Sequence, residues 1–216
     1  MPDMNNNSLK YSLFEQLAQV SKAMGHANRL MILDVLAQKA CDVETLHQKL
    51  GLSIANVSKH LQTLKQAGLV TNTRQGQHII YALSDRNVFN LIVSLREVAE
   101  SQLDTMQNLL TEHLKPNTPF EPISLKALKD FKQPYTLLDV RPEDEFAAGH
   151  IPEAINIPIE KLSDKLPQLQ TDHTLVVYCR GPYCMWSQQA LDELQKRGIQ
   201  ARRLAEGYPE WQALSQ

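Results

Sequence analysis

The chain has 216 residues and a net charge of −2 with histidine neutral, long enough for two small domains and too balanced for its totals to announce a nucleic-acid partner. Three cysteines, Cys41, Cys179 and Cys184, exclude a disulfide scaffold and point to reduced thiols in the cytoplasm. No apolar run approaches membrane-spanning length, and the Met-Pro-Asp-Met-Asn-Asn-Asn-Ser start has no apolar signal core, so no membrane partner is expected.

The halves differ in charge. Residues 1–115 carry 11 basic against 10 acidic side chains, whereas residues 116–216 carry 11 against 14. From Thr45 to Ser84 the chain has Lys49, Lys59, Lys65 and Arg74 and no acid, which suits a surface that meets phosphates or, more plainly, a solvated basic face. Leu9, Leu13, Phe14, Leu17, Val20 and Met24 predict a helix over 8–24, ended by Gly25. A second helix, His26 to Gln38, buries Leu30, Ile32, Leu33, Val35 and Leu36. After Cys41-Asp42 a short helix runs Val43–Leu50 to Gly51. Ser53 then N-caps a helix that ends at Ala67-Gly68. Val57, Leu61 and Leu64 form its buried stripe, and Asn56, Ser58, Lys59, His60, Gln62 and Lys65 its open face. Two strands, Leu69–Arg74 and His78–Leu83, join through Gln75-Gly76-Gln77. Three helices, a helix-turn-helix and a hairpin make the winged-helix plan, in which the second helix of the turn enters the major groove.

Gly51-Leu52-Ser53, Val57-Ser58-Lys59-His60-Leu61, Leu64 and Ala67-Gly68-Leu69-Val70 resemble the ArsR family of small repressors, over about residues 10–110. The resemblance implies double-stranded operator DNA as partner. Ser53, Asn56, Ser58, Lys59 and His60 then face the bases, with Ile54 in a usually polar place. Lys65, Arg74, Gln75 and His78 meet phosphate or the minor groove. The amphipathic segment Asp85 to Leu114 carries Val88, Phe89, Leu91, Ile92, Leu95, Val98, Leu103, Met106, Leu109 and Leu110. By resemblance it is the dimer helix of a homodimer, pairing with the N-terminal helix of a second chain. The family's metal sites are not reproduced. Lys39 and Val43 flank Cys41 where a second cysteine would stand, and Asp85, Asp104, Glu112 and His113 have the wrong spacing, so neither metal nor cofactor is expected. Cys41 is a candidate regulatory thiol or simply a small packed side chain.

Lys115-Pro-Asn-Thr-Pro-Phe-Glu-Pro122 is a semi-rigid connector, dividing the chain into a winged-helix domain (1–115), a linker (116–122) and a second domain (123–216). The second domain alternates strands and helices: Thr136–Val140, Glu143–Ala148, the 159–169 segment, Leu175–Tyr178, Cys184–Arg197, Ala201–Leu204 and Pro209–Leu214. That alternation predicts an α/β fold with a parallel sheet, following a mostly α winged helix of α+β class. Its site belongs at the carboxyl ends of the strands, where Val176-Val177-Tyr178-Cys179-Arg180-Gly181-Pro182-Tyr183-Cys184 ends a strand in a tight loop and opens a helix. Amides of such a turn and the helix N-terminus favour an anion, and so the thiolate form of Cys179.

Leu138-Asp139-Val140-Arg141, Glu145-Phe146, Gly149-His150-Ile151-Pro152, Asn156-Ile157-Pro158 and Glu206-Gly207-Tyr208-Pro209-Glu210-Trp211 resemble the rhodanese family, over residues 120–216. The resemblance implies a persulfide on Cys179 and sulfurtransferase activity. Arg180 then attracts a sulfane-sulfur donor such as thiosulfate or polysulfide, and Arg180, Gly181, Tyr183, Cys184 and Met185 supply amides to the cradle while Pro182 has none to give. Gly181 would lend the loop unusual dihedrals. Cys184 stands where many rhodaneses carry a basic residue, and it can resolve the persulfide to a disulfide. Met185 stands where the fold's phosphatase relatives have arginine, which argues against phosphate-ester chemistry. Asp139, Arg141, Glu145 and His150 are expected in structural ion pairs and turn hydrogen bonds. Both motif sets together predict a repressor responsive to reactive sulfur. The alternatives are a sulfurtransferase or thiol-dependent reductase with an accessory DNA-binding domain, and a sensor of a thiophilic oxyanion such as arsenite.

Overall fold

The computed structural model describes residues 3–114, 121–168 and 173–215, so residues 116–120 of the expected linker lie outside the described residues. The chain divides into two units, Met1–Arg96 and Glu97–Gln216.

In the first unit, α1 (Asp3–Met24) and α2 (Ala27–Gln38) precede the helix-turn-helix, α3 (Val43–Leu50) and α4 (Ile54–Gln66). The antiparallel wing follows, β1 (Val70–Gln75) with β2 (His78–Leu83). Side-chain caps start these helices where the sequence offers an acceptor. Asp42 Oδ1 accepts the Thr45 amide at 2.8 Å, Ser53 Oγ accepts that of Asn56 at 3.3 Å, and His26 Nδ1 accepts that of Asn28 at 3.1 Å. Gly51 ends α3 at φ +65°, a left-handed conformation that costs glycine least. Ile32 and Leu33 of α2, Leu46 of α3 and Val57, Leu61 and Leu64 of α4 close into a solvent-free core. The apolar positions of α1 lie mostly outside it, with Leu9, Leu13, Phe14 and Leu17 between 57% and 61% exposed.

The segment expected as one run over 85–114 is two helices, α5 (Arg86–Gln102) and α6 (Asp104–Leu114). Leu103 interrupts them, and the Gln107 side-chain amide donates to the Glu100 carbonyl that a continuing helix would have paired with a backbone amide. Val88 and Phe89 are buried, whereas Leu91, Leu95, Val98, Leu103 and Leu109 are 43–59% exposed.

The second unit continues with α7 (Leu125–Lys129), β3 (Tyr135–Asp139), α8 (Glu143–Ala148), β4 (Ile155–Asn156) and α9 (Ile159–Lys165), which runs into a 3-10 turn. Then come β5 (Thr174–Tyr178), α10 (Met185–Lys196), β6 (Ala201–Arg203) and α11 (Tyr208–Leu214). Helix α7 and strand β4, of 5 and 2 residues, are too short to leave a period in the sequence. The sheet is parallel in the order β4-β3-β5-β6, with Asp139 opposite Tyr178 and Val177 opposite Arg203. The apolar run of β5 follows from cover on both faces. Leu175, Val177 and Cys179 pack with Ala190, Leu191 and Leu194 of α10, while Val176 and Tyr178 pack with Leu125, Leu128 and Tyr208. Asp139 ends β3 beside the end of β5, so the carboxyl edge of the sheet gathers the chemistry-bearing residues.

Candidate functional site

Cys179 leaves β5 only 2% exposed, and Cys184 is the N-cap of α10. A disulfide joins them across the loop, with the Cα atoms 6.2 Å apart. The Cys184 amide, expected to face the cradle, donates to the Gly181 carbonyl at 3.1 Å and serves the turn itself. Gly181 is not among the residues at positive φ, so the loop does not use the unusual dihedrals foreseen for it. The glycine that shapes the loop is Gly207, because a Cβ there would lie 2.5 Å from the carbonyl carbon of Arg180 and the nitrogen of Gly181. Its amide donates to Glu210 Oε2 at 2.9 Å, and the next amide, of Tyr208, donates to the Cys179 carbonyl at 3.4 Å. Tyr183 and Met185 stand 41% and 45% exposed on the outside of the loop. The Tyr183 hydroxyl donates to the Glu100 carboxylate at 2.5 Å, both residues lying in the second unit.

Ion pairs surround the loop. Arg180 grips Glu145 with two nitrogens, at 2.9 and 2.5 Å, and its guanidinium lies 4.2 Å from the Trp186 ring centroid. The charge expected to greet an incoming anion is therefore shared with a buried carboxylate. Arg141 and Asp139 are fully buried against each other at 2.6–3.0 Å, and Arg141 also donates to the Gly149 carbonyl at 2.8 Å. Burial opposes the Arg141 charge, but the Asp139 hydrogen bonds and charge outweigh it and hold its pKa above the ordinary value. Burial first, then Asp139, pushes the Tyr178 phenol far above its usual range. His150 stacks on Phe146 at 3.8 Å, with Nδ1 3.0 Å from the Phe146 carbonyl.

Sequence reasoning missed Arg203. Strand period 2 puts it on the same face as Ala201, which packs in the core, and that was the available signal. It is 6% exposed and donates to the Pro182 carbonyl in the middle of the loop.

In the first unit, Ile54, Asn56 and Lys59 are exposed on α4, Ser58 and His60 are half-buried, and Ser53 is held at the cap. His60 packs on His26 with 4.7 Å between ring centroids. Burial first, then the neighbouring His26, Arg29 and Lys59, holds its pKa below the ordinary histidine value, so it presents a neutral ring at neutral pH. Lys65 Nζ donates to Asn72 Oδ1 at 2.7 Å, and Arg74 Nε donates to the Gly76 carbonyl at 3.1 Å. Gln75 is exposed at the tip of the wing. His78 lies 2.9 Å from Asp42 Oδ2, tying the wing to the start of α3. Cys41 is 7% exposed in the core, and its backbone pairs both ways with Tyr81, at 3.0 and 2.8 Å. Among the described residues no group of three or more His, Cys, Asp or Glu is placed to hold a metal, and no helix is long and apolar enough to cross a membrane.

Residues 24–73 match the model of a helix-turn-helix domain and residues 121–214 that of a rhodanese-like domain. HTH-type transcriptional regulator Rv0324 of Mycobacterium tuberculosis is 37% identical over 204 residues, 94% of this chain and 89% of its own. Among solved structures, the homodimeric winged helix-turn-helix DNA-binding domain Mb0332 of Mycobacterium bovis is 33% identical, covering 49% of this chain and 93% of its own at a TM-score of 0.43. A rhodanese-related protein of Thermoplasma volcanium is 31% identical over 41% of this chain and 86% of its own, at 0.37.

Proposed function

The chain belongs to the HTH-type transcriptional regulators that carry an ArsR-type winged helix and a C-terminal rhodanese-like domain, and on that premise we propose that it is a cytoplasmic, homodimeric repressor whose hold on operator DNA is set by reactive sulfur at Cys179. The observation that carries this reading is the pair Cys179 and Cys184, within bonding reach at the carboxyl edge of the sheet. The Cys179 thiolate attacks the terminal sulfane sulfur of a polysulfide, forming Cys179–S–S⁻ and releasing the shortened polysulfide. With thiosulfate as donor the leaving group is sulfite. The Cys184 thiolate then attacks the Cys179 sulfur, forming the disulfide and releasing the outer sulfur, which takes one proton from solvent and leaves as hydrosulfide, so that two thiols are oxidised by two electrons as the sulfane sulfur is reduced.

Asn56, Ser58, Lys59 and His60 on α4 read bases, and Arg74 and Gln75 on the wing meet the backbone, in this reading. Linkage then requires that sulfur loading and DNA affinity influence each other by equal factors.

The test measures affinity of the reduced and the polysulfide-treated chain for its own upstream DNA, with Cys179→Ser beside it. At least a tenfold change is expected in the parent and none in the variant. An equal response of both chains moves the sensor to Cys41. If neither responds, the two domains are uncoupled, and a sulfurtransferase with an accessory DNA-binding domain becomes the better reading.

A further inference from the structure

Arg203 is the buried cation that the site described above does not account for. It lies on β6 opposite Val177, two residues before Cys179. Its side chain is 6% exposed and passes behind the loop to donate to the Pro182 carbonyl, three residues after Cys179 and two before Cys184. Its Nε has no hydrogen-bond partner among the described residues. The other arginines of this edge are matched, Arg141 by Asp139 and Arg180 by Glu145. Among the described residues no ion pair to a carboxylate is found for Arg203, and burial alone holds its pKa below the ordinary arginine value. A guanidinium taken out of water without an anion is destabilising, and an unsatisfied buried donor adds to that. A fold that keeps one behind a thiol loop is built for a state in which negative charge appears there.

We propose that Arg203 is a positioning residue that holds the loop through Pro182 and serves as the buried counter-cation of the Cys179 thiolate and of the persulfide anion it becomes. The proposal rests on Cys179 as the reacting thiol. In the disulfide no sulfur carries charge and the guanidinium is unmatched. Reduction of the pair by a dithiol, which is itself oxidised to a disulfide, gives two thiols, and loss of one proton to solvent then puts a negative charge at the end of β5, where Arg203 is a cation that no carboxylate has claimed among the described residues. The remaining charged groups at the loop do not supply this. Glu210, whose carboxylate lies 3.5 Å from where a Gly181 Cβ would stand, disfavours the thiolate, and the Arg180–Glu145 pair is close to neutral. The N-terminus of α10 favours the thiolate and acts alongside Arg203.

The test uses the full-length reduced chain carrying Cys184→Ser, so that one loop thiol titrates, and reads alkylation of the Cys179 peptide by mass spectrometry from pH 5 to pH 10. The parent should titrate well below the ordinary cysteine value of about 8.5. Arg203→Gln should raise that midpoint by at least one unit, slowing alkylation at pH 6 about tenfold, and Arg203→Lys should recover most of it. A parent midpoint at or above the ordinary value overturns the proposal without any Arg203 variant, so misfolding of Arg203→Gln does not shelter it. A low midpoint that Arg203→Gln leaves in place while near-UV circular dichroism stays native also overturns it. Persulfide mass in the same samples is a separate readout. Its absence would sink the sulfur-loading function and leave the midpoint shift standing.

Discussion

Gly207 and Arg203 shape the sulfur-bearing loop through its backbone. At Gly207 the backbone of Arg180–Gly181 comes so close that a methyl group has no room, and both neighbours are backbone, which cannot swing aside. Gly207→Ala should therefore cost about 1–3 kcal/mol in thermal or denaturant unfolding and slow alkylation of Cys179 by displacing the loop. An alanine chain with parental stability and thiol reactivity would show that the loop does not depend on this approach. Arg180 shows why residue type alone misleads, because a guanidinium next to a nucleophile reads as an anion trap until a carboxylate 35 positions away occupies it.

Among the elements, α3 shows how a short helix is held in place. It has 8 residues, below the length at which a helix is stable alone, and relies on the Asp42 cap and on Leu46 in the core. Asp42→Ala should cost about 1 kcal/mol in thermal unfolding. The Thr45 hydroxyl and amide, and after them His78, hold the Asp42 carboxyl below its ordinary value of 3.8. A carboxyl depressed in the folded state stabilises above its unfolded value, and that contribution fades as pH falls through the folded value. The gap in melting temperature between parent and Asp42→Ala should thus persist from pH 7 down to about pH 4 and narrow below it. A gap that stays constant down to pH 2.5 would mean that the cap works without its charge. The break at Leu103 belongs to this scale too, since α5 ends at Gln102 and α6 starts at Asp104 within an amphipathic run that periodicity reads as continuous.

At the scale of the whole molecule, apolar side chains stand open on α1 and α5. Leu13, Phe14 and Leu17 on α1 and Leu91, Leu95 and Val98 on α5 are between 43% and 61% exposed, more than a soluble monomer ordinarily leaves in two contiguous stripes. A second copy of the chain is the proposed cover, and it would set two recognition helices for half-sites one turn of DNA apart, about 34–36 Å. Sedimentation should find the parent dimeric and a chain with Leu13→Glu and Phe14→Glu monomeric, with DNA affinity at least tenfold weaker. A variant that stays dimeric would move the interface off α1.

Much of this protein is legible from residue order alone. Apolar spacing placed α2, α3, α4 and α10 within a residue or two, Ser53 marked a cap, and a strand ending before a Gly-Pro turn placed Cys179 at the carboxyl edge of the sheet. These features are local, because a helix or strand shows its buried face within a few residues and a cap needs an acceptor only two or three positions away. Tertiary structure decided what meets that edge. Glu145 reached Arg180, Arg203 reached Pro182, and Gly207 reached Arg180 and Gly181, across 35, 21 and about 26 positions. Period fixes which face a side chain takes, but only the packing of strands and helices decides which distant residue shares that face, and so which charge is matched and which is left to wait for an anion.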